Sequence, residues 1–73
     1  MFHNIVMNKF KDNLRELRTE KNLTQKQLAN ELGVLERTVS YWENGSRECD
    51  FDTLILIAKF FGVTIDYLLG LEN

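Results

Sequence analysis

Apolar residues recur every three to four positions along most of this chain, which is the spacing of a helix with one buried face. The first such segment, residues 9–21, places Phe10, Leu14 and Leu17 on one side. Four more segments predict helices at residues 25–32, at 36–44, from Asp50 or Asp52 to Phe61, and at 65–69. Because no stretch alternates with period two, the pattern predicts an all-α protein.

Residues that begin and end helices stand between these segments. Thr24 and Gln27 form a Thr-x-x-Gln capping box, and Asn8 and Thr64 are suitable N-caps. Each of the four glycines follows a helical segment, where a left-handed residue commonly ends a helix. The chain is therefore divided into an extension (1–8), a helical domain (9–70) and a short tail (71–73).

The last two helices are the most apolar part of the chain. Apolar residues cover more than half the circumference of the fourth helix, which predicts that it lies at the centre of the core: Leu54, Ile55, Ile57, Ala58 and Phe61. A further apolar set exceeds what a small core can hide: Phe60, Ile65, Leu68, Leu69 and Leu71. This surplus predicts a two-fold interface through the fifth helix.

Composition restricts the function classes. With 73 residues, 44% of them hydrophobic and 27% charged, the chain suits one small globular domain with little room for a deep pocket. Its single cysteine, Cys49, and single histidine, His3, cannot form a closed metal site or a nucleophile–base pair. We therefore expect neither an enzyme nor a metal, cofactor or small-molecule ligand.

The sequence also bears on the cellular location of the protein and on the distribution of charge along the chain. The chain has neither a signal-peptide pattern nor an apolar run that could cross a membrane, and its lone thiol suits a reducing compartment, so we expect a cytoplasmic protein. The net charge of −2 is unevenly spread: residues 1–47 hold eight basic and six acidic groups, and residues 48–73 hold one and five. The first part is thus the better candidate for an anionic partner.

Residues 25–42 are the most informative segment. Two helices are joined here by about three residues, and the small residues Ala29 and Gly33 allow them to approach closely. The whole pattern resembles the Cro/phage-repressor (XRE-like) helix-turn-helix family, and the residues that carry this resemblance are Leu14 to Arg18, Leu23 to Ala29, Leu32 to Val34, Val39 to Gly45 and Leu54 to Leu69. The resemblance implies a compact five-helix λ-repressor-like domain and a transcriptional regulator that binds a double-stranded operator as a homodimer.

The resemblance also implies residue roles. Base contacts fall on the start of the third helix, at Glu36, Arg37, Thr38 and Tyr41. Phosphate contacts fall on Gln25, Arg18, Asn44, Ser46 and Arg47, and a structural ion pair joins Arg18 to Glu43. The chemistry agrees, because an arginine can bond guanine O6 and N7 together and a glutamate can accept from cytosine N4.

Two residues depart from the family pattern. Leu35 stands where the family usually has Ser or Thr as the N-cap of the third helix, so we expect its first turn to fray. Glu36 suits the helix dipole but repels phosphate, which predicts moderate affinity for DNA. These departures keep a second hypothesis open: a protein-interaction module on the same fold, such as an antitoxin or an assembly partner, with weak DNA binding.

Overall fold

Five helices follow one another along residues 8–72, the part of the chain that this computed structural model describes. They are α1 (Phe10–Glu20), α2 (Gln25–Leu32), α3 (Glu36–Asn44), α4 (Phe51–Phe61) and α5 (Ile65–Leu69). The predicted helices are confirmed, except that α1 is one residue shorter at each end. Most of the predicted extension lies outside the described residues, as does Asn73.

The helix starts confirm most of the expected caps. The side chains of Thr24, Asp50 and Thr64 each accept a backbone N–H three residues on, so Asp50 rather than Asp52 caps α4. Asn8 accepts the N–H of Phe10 at 3.0 Å, although the N-cap position of α1 is Lys9. At the other ends, all four glycines are left-handed C-caps.

Every helix contributes one fully buried side chain to a single core: Leu14, Leu28, Val39, Ile57 and Leu68. Trp42 lies beside them and meets the ring of Phe10 edge to face, with 6.4 Å between ring centroids. Burying these apolar side chains is the main force that stabilises the fold. The core holds α1, α2 and α3 together and so fixes the position of α3.

The structure corrects two expectations about α4 and α5. Only Leu54, Ile57 and Ala58 of α4 are buried, while Ile55 is 41% and Phe51 is 83% exposed. The helix lies at the edge of the core because the four other short helices do not surround its eleven residues on all sides.

The other correction concerns the exposed apolar residues that the sequence predicts near the C-terminus. Leu68 belongs to the core, and Phe60, Ile65 and Leu69 pack partly against it. Leu71 alone of the predicted set is strongly exposed. The apolar surface therefore lies on α4 as much as near α5.

The beginning of α1 is tied to the end of α5. The N–H of Lys9 donates to the carbonyl of Leu69 at 3.1 Å. The side-chain amide of Asn13 donates to the carbonyls of Tyr67 and Leu68, at 2.9 and 3.2 Å. These bonds satisfy carbonyls at the end of α5 that have no partner within the helix.

Candidate nucleic-acid interface

A turn of three residues joins α2 to α3. Gly33 has φ +73°, a conformation that glycine adopts at little cost, and it ends α2. The N–H of Val34 then donates to the carbonyl of Ala29 at 3.0 Å, and the Val34 side chain packs against the core. The predicted helix-turn-helix is therefore present, and its turn is fixed by backbone bonds and by burial.

A buried carboxylate connects the three helices that carry the candidate interface. Glu43, near the end of α3, has a side chain that is 1% exposed. Arg18 of α1 donates to both of its oxygens, from Nε at 2.7 Å and from Nη2 at 2.9 Å. The hydrogen bond to Glu43 also raises the pKa of Arg18. This two-pronged geometry is the strong form of an arginine–carboxylate pair, and the ion pair that the family resemblance implied is present.

Two further side chains reach the same carboxylate. Gln25, the first residue of α2, donates from Nε2 to Glu43 Oε1 at 3.1 Å. Arg15 of α1 places Nε 3.9 Å from the same oxygen, and its Nη2 donates to the Glu43 carbonyl at 3.4 Å. We call this group of Arg15, Arg18, Gln25 and Glu43 the Glu43 hub. It links α1, the start of α2 and the end of α3.

Sequence reasoning missed two members of the hub. The sequence pattern assigned no role to Arg15 and only a phosphate contact to Gln25. The one available signal was that Arg15 lies one turn before Arg18 on α1. Nothing in the spacing of Gln25 and Glu43, eighteen residues apart, indicated that they meet.

Arg18 is poorly placed for the phosphate contact predicted for it. Its side chain is 13% exposed, and its Nη1 donates to the carbonyl of Leu23 at 2.7 Å in addition to the bonds with Glu43. A guanidinium held by three protein oxygens must break those bonds to turn outward. The structure thus makes Arg18 part of the scaffold beneath the interface.

The four predicted base-reading residues lie together on the first two turns of α3. Glu36 and Arg37 are exposed, whereas Thr38 and Tyr41 are half-buried. Val39, between them, is fully buried and holds this part of the helix on the core. Arg37, Thr38 and Tyr41 therefore line one groove, and the carboxylate of Glu36 is exposed at the first residue of the helix.

Asn44, Ser46 and Arg47 surround the end of α3. The side-chain oxygen of Asn44 accepts the N–H of Ser46 at 2.9 Å and also the Ser46 hydroxyl. The guanidinium of Arg47 lies over the ring of Tyr41, 4.9 Å from its centroid, in a cation–π arrangement. This stacking partly covers Tyr41, which is half-buried, whereas the neighbouring Trp42 is buried in the core.

An open groove of about 400 Å³ separates α3 from the loop that follows it. Leu35, Arg37, Thr38 and Tyr41 line one side, and Cys49 lies on the other. Burial is the main cause that raises the pKa of Cys49 to about 11, and neighbouring acidic groups act in the same direction. The thiol is therefore protonated at neutral pH and is a poor nucleophile.

Asp50 ends this loop and begins α4. Its carboxylate accepts the N–H of Thr53 at 2.8 Å, and hydrogen bonding to Thr53 lowers the pKa of Asp50. The negative charge also lies at the positive end of the helix dipole. Asp50 is thus a cap on the far wall of the groove.

Residues 8–72 contain neither a cluster of metal-binding side chains nor a membrane-spanning helix. Within that range, no three His, Cys, Asp or Glu side chains gather closely enough to hold a metal ion. Nor does any helix of the range combine the length and the hydropathy that crossing a membrane requires. His3 lies outside these residues.

Comparisons with known proteins agree with this geometry. A family model described as helix-turn-helix matches residues 14–68. The chain is 48% identical over 64 residues to the HTH-type transcriptional activator BcrR of Enterococcus faecalis, covering 88% of this chain. It spans 31% of that activator, and 55% of the HTH-type regulator YqaE of Bacillus subtilis.

Solved structures show the same fold. The P22 c2 repressor, in complex with a synthetic operator, superimposes with a TM-score of 0.80 and 25% identity over 86% of this chain and 96% of that one. The fold is therefore λ-repressor-like. A structure of HppE with Fe(II) also superimposes on this chain, with a TM-score of 0.76 and 31% identity. The match covers 88% of this chain and 34% of the HppE chain. The chain belongs to the helix-turn-helix family of the Cro and phage-repressor type.

Proposed function

We propose that this chain binds a specific double-stranded DNA operator and regulates transcription, acting as a repressor that reads the major groove with α3. One observation carries the proposal: the start of α3 displays Glu36, Arg37, Thr38 and Tyr41 while the Glu43 hub and the core hold the helix against α1 and α2. A rigid support for a few base-reading side chains is what direct readout requires. The P22 c2 repressor, which has this fold, is seen with an operator.

Arg37 is the residue we assign to guanine. It is exposed and has no hydrogen bond or ion pair with another part of residues 8–72. Its guanidinium is therefore free to bond O6 and N7 together, which contributes about 1–3 kcal/mol of discrimination against another base. Glu36 is assigned to cytosine N4, and Thr38 and Tyr41 to neighbouring base edges.

Phosphate contacts are proposed for Gln25, Asn44, Ser46 and Arg47, and no longer for Arg18. Gln25 uses one amide hydrogen on Glu43 and keeps a second for phosphate at the start of α2. Arg47 is held by Tyr41 near the edge of α3. Contacts of this kind position a protein on the duplex without selecting a sequence.

A homodimer on the operator completes the proposal. Two copies related by a two-fold axis would read half-sites about 34 Å apart, one turn of the duplex. The apolar surface available for such an interface includes Phe51 and Ile55 on α4, Tyr67 on α5 and Leu71 just after it. Sedimentation at tens of micromolar tests this: a species of 8.6 kDa with and without operator would contradict it.

We propose no catalytic activity. The match to HppE covers about a third of that protein, so it supports a shared fold and not a shared reaction. The one cysteine is protonated at neutral pH. A cytoplasmic location suits a protein that binds DNA, and this location stays a prediction.

The decisive experiment compares two alanine variants on DNA. After an operator is selected from random duplexes, Arg37→Ala should reduce the ratio of specific to non-specific affinity by about tenfold or more. Gln25→Ala should weaken both affinities about equally, because it removes a phosphate contact. Lys59→Ala, on exposed α4 surface, is the control and should change neither.

The same experiment decides between the two hypotheses. If no sequence is enriched, or if Arg37→Ala leaves operator preference unchanged, the DNA-reading role of α3 is wrong. The protein-interaction module then becomes the better description, and the exposed Phe51 and Ile55 would be its contact surface. Thermal unfolding of each variant would show that altered binding does not come from lost folding.

A further inference from the structure

The residue before α3 is an exposed leucine. Leu35 is 59% exposed, although its neighbour Val34 packs against the core. It occupies the N-cap position in an extended conformation, with φ −79° and ψ 150°, and its side chain makes no cap hydrogen bond. Ser or Thr here would satisfy a backbone N–H of the first turn. A leucine here therefore lacks the cap hydrogen bond that Ser or Thr would make, and more than half of its surface is exposed to solvent.

Leu35 lies among the residues proposed to read bases. It shares one wall of the groove with Arg37, Thr38 and Tyr41, and it comes one turn before Thr38. Val34 lines the same groove but packs against the core, so Leu35 is the exposed aliphatic side chain of this wall. If the start of α3 enters the major groove as proposed, Leu35 would face the base edges with Arg37, because both side chains line the same groove of the protein.

The major groove offers one apolar feature to such a side chain. Thymine carries a methyl group at C5, whereas the other groups on the base edges are hydrogen-bond donors and acceptors. We infer that Leu35 is a specificity-determining residue that contacts the 5-methyl group of a thymine in each half-site. The inference rests on the proposed DNA-binding function and adds a residue outside the predicted site.

Deoxyuridine provides the test, because it lacks only the methyl group and keeps the hydrogen-bonding edge of thymine. Each thymine of the selected operator is replaced in turn, and the dissociation constant is measured at fixed salt. For the unmodified protein we expect one position per half-site at which the replacement weakens binding about fourfold, the effect of losing one buried methyl. Other thymines should change the affinity little.

Variants of Leu35 assign that effect to the side chain. Leu35→Ala and Leu35→Ser should bind the thymine and deoxyuridine operators equally at the sensitive position. Leu35→Met, which keeps an apolar side chain of similar volume, is the matched control and should retain the difference. Leu35→Ser also supplies an N-cap, so loss of discrimination in that variant cannot come from a weakened helix start.

The outcomes separate this inference from the proposed function. If the operator binds and Arg37→Ala relaxes its specificity, but no thymine is sensitive or Leu35→Ala keeps the sensitivity, the role of Leu35 is wrong and the DNA-binding proposal stands. If no operator is enriched at all, the proposed function itself fails. A sensitive thymine that responds to Thr38→Ser instead of Leu35→Ala would assign the methyl contact to Thr38.

Discussion

The two helices of the helix-turn-helix begin in opposite ways. At the start of α2, Thr24 Oγ1 accepts the N–H of Gln27 at 3.0 Å, and Gln27 Oε1 accepts the N–H of Thr24 at 2.8 Å. At the start of α3, the side chain of Leu35 accepts nothing. The start of α2 is capped by side chains of the same segment, whereas the start of α3 has no side-chain cap.

The Glu43 hub strengthens this contrast. Gln25 anchors the first turn of α2 to Glu43, which lies at the opposite end of α3 from Leu35. Val39 and Trp42 bury the middle and end of α3 in the core. α3 is thus supported by buried side chains from its second turn onward, while no side chain caps its first turn. A helix that is held firmly by the core but exposes its first turn is suited to contacting the edges of DNA bases.

The largest effect is expected from removing the shared anchor. Glu43→Ala should lower the free energy of unfolding by about 3 kcal/mol, because the guanidinium of Arg18 would stay largely buried without its partner. Urea denaturation measures this loss. Glu43→Gln keeps the shape and an accepting oxygen, and it should lose about half as much. A loss below about 1 kcal/mol for Glu43→Ala would mean that the pair contributes no more than an exposed one.

A smaller loss is expected from opening the start of α2. Thr24→Ala removes the acceptor for the N–H of Gln27 and should cost about 1 kcal/mol of unfolding free energy. Thr19→Ala is a matched control, since Thr19 is exposed near the end of α1 and caps no helix start. It should change stability by less than about 0.5 kcal/mol. Equal effects of the two variants would remove the contrast between α2 and α3.

The smallest effect has the opposite sign. Leu35→Ser should raise the free energy of unfolding by about 0.5–1 kcal/mol, because the hydroxyl can accept an N–H of the first turn of α3. Leu71→Ser, which also replaces an exposed leucine but lies at no helix start, should leave stability nearly unchanged. Amide hydrogen exchange in α3 would show whether the gain arises at its first turn. A loss of stability in Leu35→Ser would show that the leucine supports the fold after all.

Features that depend only on residues close together in the chain could be predicted from the sequence. Thr24 and Gln27 are three residues apart, so their capping box depends only on neighbouring backbone. The same holds for Gly33, whose left-handed conformation ends α2 within a few residues of chain. The ion pair of Arg18 and Glu43 followed from the family resemblance and not from spacing.

The remaining features depend on how distant segments approach one another. The pattern of α4 gave the right helix but could not show that Ile55 faces outward, because burial depends on which neighbours cover each side. The positions of long side chains are still harder to predict, because tertiary contacts determine which of many rotamers each one adopts. Arg47 over Tyr41 and Gln25 on Glu43 are both of this kind.

The bonds between Lys9 and Leu69 and between Asn13 and the end of α5 bring the two ends of the folded unit side by side. A unit whose entry and exit points are adjacent can be joined to other segments without a long connection around its surface. Such a unit behaves as a module. Adjacent ends give a physical reason why a segment similar to this chain makes up about a third of two longer proteins, a transcriptional activator and HppE.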